Sequence, residues 1–167
     1  MAEMCKKFLF ITLLAVFLLL NANPGFAEFK REDIFIAASI ETAPYNFDTL
    51  AFGTGLTFGY GTGAAIGLKL SCFFDTEGMN ALELNFLMKY FFKGFKVNNG
   101  LFFQLMTGLV IFNRIDDFSF DTNKGSVTYG LGLGWRFLFG DKWYLEPMVR
   151  GGYPYIYSVG ISGGIRL

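Results

Sequence analysis

The sequence predicts an all-β protein: eight antiparallel strands closed up-and-down into a transmembrane barrel, behind a cleavable signal peptide. Three observations carry this. First, large apolar side chains recur at every second residue through almost all of the chain after residue 30. In a strand that spacing places them on one face and leaves small and polar residues on the other. Second, the composition is 53% hydrophobic and 19% aromatic, yet nothing after residue 27 resembles a membrane helix. Apolar content without apolar runs is what a membrane barrel requires. Third, the chain opens with a basic, then apolar, then small-residue segment of the kind that directs secretion.

That opening segment is residues 1–27. Lys6 and Lys7 form its basic part, Phe8 to Leu20 its apolar core, and Pro24, Gly25 and Ala27 the break and small residues a signal peptidase needs. The core is 13 residues long, whereas a helix needs about 20 to cross a bilayer. No cysteine lies at or just after the cut, so lipoprotein processing is not expected. Residues 28–167 then form one barrel domain. Of 14 basic and 14 acidic residues, Lys6, Lys7 and Glu3 fall in the signal, which leaves 12 and 13 and a net charge near −1. No basic excess points to nucleic acid. Cys72 is the lone cysteine of the barrel segment, so no intrachain disulfide is expected there.

Eight alternating segments follow. Ile34 to Glu41 sets Ile34, Ile36, Ala38 and Ile40 on one face. Phe52 to Tyr60 opposes Phe52, Leu56, Phe58 and Tyr60 to Gly53, Gly55, Thr57 and Gly59. Ala64 to Phe74 opposes Ile66, Leu68, Leu70 and Phe74 to Gly67, Lys69, Ser71 and Phe73, with Cys72 on the apolar parity. Asn80 to Phe92 opposes Leu82, Leu84, Phe86, Met88 and Tyr90 to Glu83, Asn85 and Lys89. Leu101 to Phe112 carries Leu101, Phe103, Leu105, Leu109 and Ile111 against Gln104 and Gly108. Ser126 to Phe139 is the clearest, with Tyr129, Leu131, Leu133, Trp135, Phe137 and Phe139 against Thr128, Gly130, Gly132, Gly134 and Arg136. Trp143 to Gly151 sends Trp143, Leu145 and Val149 one way and Tyr144, Glu146 and Arg150 the other. Pro147 there cannot donate to a ladder. The last segment alternates Tyr155, Tyr157, Val159, Ile161, Ile165 and Leu167 with Ser158, Gly160, Ser162, Gly164 and Arg166.

An even strand count puts both termini on the periplasmic side and the longer loops outside. The two longest links, Thr42 to Ala51 and Asn113 to Gly125, fall on the outer side. The second is polar, with Arg114, Asp116, Asp117, Asp121 and Lys124, and is the expected contact for an extracellular ligand. Aromatic residues crowd the strand ends: Phe58, Tyr60, Tyr90, Phe92, Phe137, Phe139 and Trp143 at the periplasmic rim, and Phe74, Tyr155 and Tyr157 at the other. Amphipathic rings belong at the two membrane–water interfaces, so these form the expected aromatic girdle.

A soluble lipocalin-like barrel would turn the sheet inside out and hold a single apolar ligand. Its exterior would have to be dense with charge. Here the second face is rich in Gly, Ser, Thr and Ala, with about one charge per strand, which suits a narrow lumen where glycines make room for Phe73, Phe102 and Tyr144. The pattern as a whole resembles the small eight-stranded outer-membrane barrels of the OmpA/OmpX type. That resemblance implies residence in a bacterial outer membrane, among outer-membrane lipids, and delivery by the outer-membrane assembly machinery. Barrels of this type usually end in an aromatic residue. Leu167 keeps the parity and departs from that preference.

The mid-strand charges Lys69, Glu83, Lys89, Arg136, Glu146, Arg150 and Arg166 share the inward parity. A charge on the lipid face near the midplane costs about 2–4 kcal/mol, which explains the sorting. If Gly140-Asp141-Lys142 is a tight loop, Arg136 falls directly opposite Glu146, and a loop centred on Thr76 would set Lys69 against Glu83. Eight strands leave an interior just wide enough for side chains, so the expected lumen is plugged and polar. Enzymatic barrels of this size generally rely on a histidine base, and the chain contains none. Its absence also removes the usual transition-metal ligand, so no cofactor and no metal are expected. The expected role is non-enzymatic, structural or in surface interaction. Passage of small or hydrophobic molecules is the main alternative, and lipid modification is disfavoured.

Overall fold

The computed structural model describes residues 34–46, 49–61, 63–75, 79–92, 99–114 and 124–167. Residues 1–27, expected as a signal peptide, lie outside them, as does most of the loop 113–125. Eight strands form: β1 Ile34–Asn46, β2 Thr49–Gly61, β3 Ala64–Asp75, β4 Met79–Phe91, β5 Gly100–Arg114, β6 Lys124–Phe139, β7 Trp143–Tyr153 and β8 Tyr157–Arg166. Each pairs antiparallel with its chain neighbours, and β1 pairs with β8 from Phe35↔Arg166 to Thr42↔Val159, so the sheet closes. Closure leaves no free edge, the condition for a sheet to survive in hydrocarbon.

The two-residue alternation decides what each strand shows to the outside. Leu131 and Leu133 of β6 are exposed on the barrel exterior, along with Leu56 and Phe58, Leu68 and Leu70, Leu82 and Leu84, and Val159 and Ile161. Tyr129 stacks on Tyr153 outside the β6–β7 pair, ring centroids 5.8 Å apart. Cys72 is a partly buried free thiol on the same outward parity. An apolar exterior around a polar interior is the inverse of a soluble barrel, and the lipocalin-like alternative fails here.

Several strands run further than the alternation alone indicates. The stretch Thr42 to Ala51, expected as a long outer loop, is mostly ladder: Thr42↔Phe52, Ala43↔Ala51, Pro44↔Leu50 and Asn46↔Thr49 pair, with an irregularity between Pro44 and Asn46. Ala43 and Ala51 are small enough to face inward there and are fully buried. β8, in contrast, begins two residues later than the alternation suggests, at Tyr157. Opposite Pro147, the β6–β7 register runs from Gly134↔Met148 to Phe137↔Leu145 without pairing Trp135 or Arg136. A residue with no N–H to give accounts for that interruption.

Inside, apolar layers cover a polar one at both ends. Towards the end opposite the termini lie Ala43, Ala51, Phe73, Ala81, Val110 and Tyr155, with Phe112 against them. Towards the end that carries the termini lie Phe35, Ala37, Ala65 and Tyr144, with Leu138. Inward glycines give the large rings their space. A methyl group on Gly53 would collide with Phe73, one on Gly134 with Phe102, and one on Gly164 with Tyr144.

Candidate functional site

The lumen between those apolar layers holds most of the buried polar and charged groups among the described residues. Each is delivered by the inward parity of its strand. β1 supplies Ser39 and Glu41, β3 Lys69 and Ser71, β4 Glu83, Asn85 and Lys89, β5 Gln104, β6 Thr128 and Arg136, β7 Glu146 and Arg150, and β8 Ser158. Arg136 and Lys69 rank among the largest fully buried side chains, at 1% and 2% exposure.

Two clusters result. In the one nearer the termini, Glu146 accepts from two cations, Arg136 Nε at 2.6 Å and Lys89 Nζ at 2.5 Å, one on each carboxylate oxygen. Aromatic faces enclose these cations. The Arg136 guanidinium carbon lies 4.0 Å from the Tyr144 ring centroid and 4.7 Å from that of Phe91, and Lys89 Nζ lies 4.8 Å from that of Phe102. In the second cluster Lys69 Nζ donates to Glu41 Oε1, to which Ser39 Oγ also donates at 3.3 Å. Arg150 Nε donates to Ser158 Oγ at 2.6 Å and lies 3.3 Å from Glu41 Oε2, while its Nη1 is 3.7 Å from Glu83 Oε2. Asn85 Nδ2 donates to Glu83 Oε2 at 2.9 Å, and Thr128 Oγ1 donates to Asn85 Oδ1.

Burying an ion costs several kcal/mol, repaid only where geometry is good and further hydrogen bonds satisfy the remaining lone pairs. The clusters meet that requirement in part. Each carboxylate has at least two donors in reach, and each cation–π contact adds about 0.5–2 kcal/mol. Some buried atoms still lack partners, among them Ser71 Oγ, Glu83 Oε1 and Arg136 Nη2.

The expected residues fall as follows. Arg136 and Glu146 face each other as the tight β6–β7 loop requires. Lys69 and Glu83 do not. The β3–β4 ladder pairs Ser71 with Glu83 and Lys69 with Asn85, a register centred one residue beyond Thr76, and a one-residue change in the loop centre moves the partner by two. Lys69 instead reaches over β2 to Glu41 on β1. Arg150 lies inward and partly buried, and Arg166 sits on the inward parity at the terminal mouth, paired in register with Phe35. Glu41 was absent from the expected lumenal charges, although its parity with Ser39 was legible.

Of the aromatic girdle, Phe58, Tyr90, Phe92, Phe137, Phe139, Trp143, Phe74 and Tyr157 are exposed on the exterior, and Tyr60 is half-buried. Tyr155 is a correction. It is 4% exposed and packs on Phe73, ring centroids 4.7 Å apart, inside the barrel. It belongs to the link between β7 and β8, so strand parity does not reach it. Among the described residues no group of three or more metal-ligating side chains occurs.

No known protein family and no curated protein matches the sequence. Solved structures do match. The N-terminal β-barrel domain of Pseudomonas aeruginosa OprF is similar with a TM-score of 0.51 at 16% identity, over 80% of this chain and 96% of that one. Neisserial surface protein A gives a TM-score of 0.49 at 13% identity, over 80% and 94%. A de novo designed transmembrane β-barrel gives 0.48 at 13% identity, over 84% and 99%. The chain has the fold of the eight-stranded outer-membrane barrels.

Proposed function

We propose that the protein is a non-enzymatic integral protein of a bacterial outer membrane, with a plugged lumen and a structural or surface-interaction role. The carrying observation is the fully buried ion-pair network between two apolar layers. Arg136, Glu146, Lys69 and Glu41 occupy the cross-section where a pore would run, and Phe73 with Tyr155 covers them at the end opposite the termini. Buried hydroxyls such as Ser39, Ser71 and Ser158 lie close to charged groups, yet their burial denies a substrate any approach. With both termini on the periplasmic side, the Phe73–Tyr155 layer faces outward. The surface role falls to the loop 113–125, whose residues 115–123 lie outside the described residues.

Planar-bilayer recording tests the plug. The plugged barrel gives no steps above the lipid background, whereas steady ohmic conductance establishes the channel reading instead. Binding to host or matrix proteins that disappears when residues 113–125 are replaced by a short Gly-rich link supports the surface role. Lipid A of altered mass in expressing cells overturns the non-enzymatic reading.

A further inference from the structure

The cluster nearer the termini does not balance its charge. Lys89 and Arg136 bring two cations and Glu146 one anion, and among the described residues both cations form ion pairs with Glu146 alone. All three side chains are withdrawn from solvent. Glu146 already receives one donor on each oxygen. Two donors remain over: Arg136 Nη2 and the Tyr144 hydroxyl are buried and have no hydrogen-bond partner. They belong to one place, because the Arg136 guanidinium carbon lies 4.0 Å from the centroid of the Tyr144 ring. The leftover groups are therefore two donors and a positive charge, and what they lack is an acceptor that carries a negative one.

We propose that this part of the lumen binds one small monovalent anion of halide size, held between Arg136 Nη2 and the Tyr144 hydroxyl. The rings of Phe35, Phe91 and Tyr144 attract the guanidinium through their faces but offer no lone pair along its free N–H directions. A water molecule would accept those hydrogen bonds and leave the charge uncompensated, and a buried charge needs a counterpart. The enclosure sets the size. Phe35, Ala37, Ala65 and Leu138 pack below the pair, and the Tyr144 ring and hydroxyl rest closely against Gly164, where a side chain would strike them. A bulky organic anion has no place there.

The inference rests on the closed-lumen reading, and its test separates the two. The protein is folded in detergent micelles and its thermal unfolding followed in sodium chloride, sodium bromide and sodium gluconate at matched ionic strength. The midpoint should rise with halide and saturate, and gluconate should give no such rise. Tyr144→Phe keeps the ring and removes one donor, so it should need about tenfold more halide to reach half of the effect. Crystals grown in bromide should show an anomalous peak within hydrogen-bonding distance of Arg136 Nη2, which keeps the proposal testable if the variant folds poorly. Superimposable unfolding in the three salts, or a halide effect that never saturates and that Tyr144→Phe leaves unaltered, overturns it. Absence of conductance together with absence of a halide effect would leave the plugged barrel standing and remove only the anion.

Discussion

Arg136 and Glu146 meet inside the barrel with Nε 2.6 Å from Oε1, although the β6–β7 ladder skips Arg136 itself. The pair is held by register on either side, Gly134↔Met148 above and Phe137↔Leu145 below. Because Lys89 shares the same carboxylate, removing Glu146 leaves two buried cations facing each other. Glu146→Ala should therefore destabilise the barrel by about 3–5 kcal/mol, measured by urea unfolding in lipid vesicles. Replacing the whole triad with Lys89→Met, Arg136→Met and Glu146→Leu should cost far less than the single change, since an apolar core of similar volume needs no counter-charge.

On the other face of the same strand, Leu133→Arg should cost about 2–4 kcal/mol in the same assay, the penalty for a cation held near the bilayer midplane. Trp143→Arg, at the rim beside the exposed turn at Gly140, should cost about 0–1 kcal/mol. Equal costs at the two positions would contradict the assigned depths.

Tyr155 and Tyr157 are two residues apart and play opposite parts. Tyr155 is buried on Phe73, whereas Tyr157 is 58% exposed on the exterior. Tyr155→Ala should destabilise by about 3–5 kcal/mol, as the loss of a large buried ring does. Tyr157→Ala should cost about 1 kcal/mol or less, by the same unfolding measurement.

Gly134 lies under the Phe102 ring, with no space for a side chain. Gly134→Val should cost about 1–3 kcal/mol through overpacking. Combining it with Phe102→Leu should recover part of that loss, so a double-mutant cycle should give a favourable coupling for the pair.

Much of this architecture can be read from residue order alone, because the strand period is two and the barrel has one oily side. Leu131, Leu133 and Phe137 could face only outward once Gly130, Gly132 and Arg136 were their alternates. The Arg136–Glu146 pairing was equally legible, since a tight turn at Gly140 fixes its register. Where the turn is less defined the reading fails: the link after β3 displaced Lys69 from Glu83 by two residues. Parity also stops where a strand stops, so nothing in the alternation announced that Tyr155 would fold inward. Glu41 carried the right parity, but its tie to Lys69 passes over β2 and depends on the β1–β2 and β2–β3 registers together.

The direction in which the oily side chains face is tested most directly by the fluorescence of Trp135 in the Trp143→Phe variant, folded into vesicles. Trp135 lies on the outward parity four residues along β6 from Phe139, which pairs with Trp143 at the rim, so it sits roughly 10 Å deeper in the bilayer. Lipids brominated at mid-chain should quench it strongly, and aqueous iodide should barely affect it. Emission indifferent to brominated lipid and quenched by iodide would mean that this face meets water, and the barrel would not be the membrane protein described.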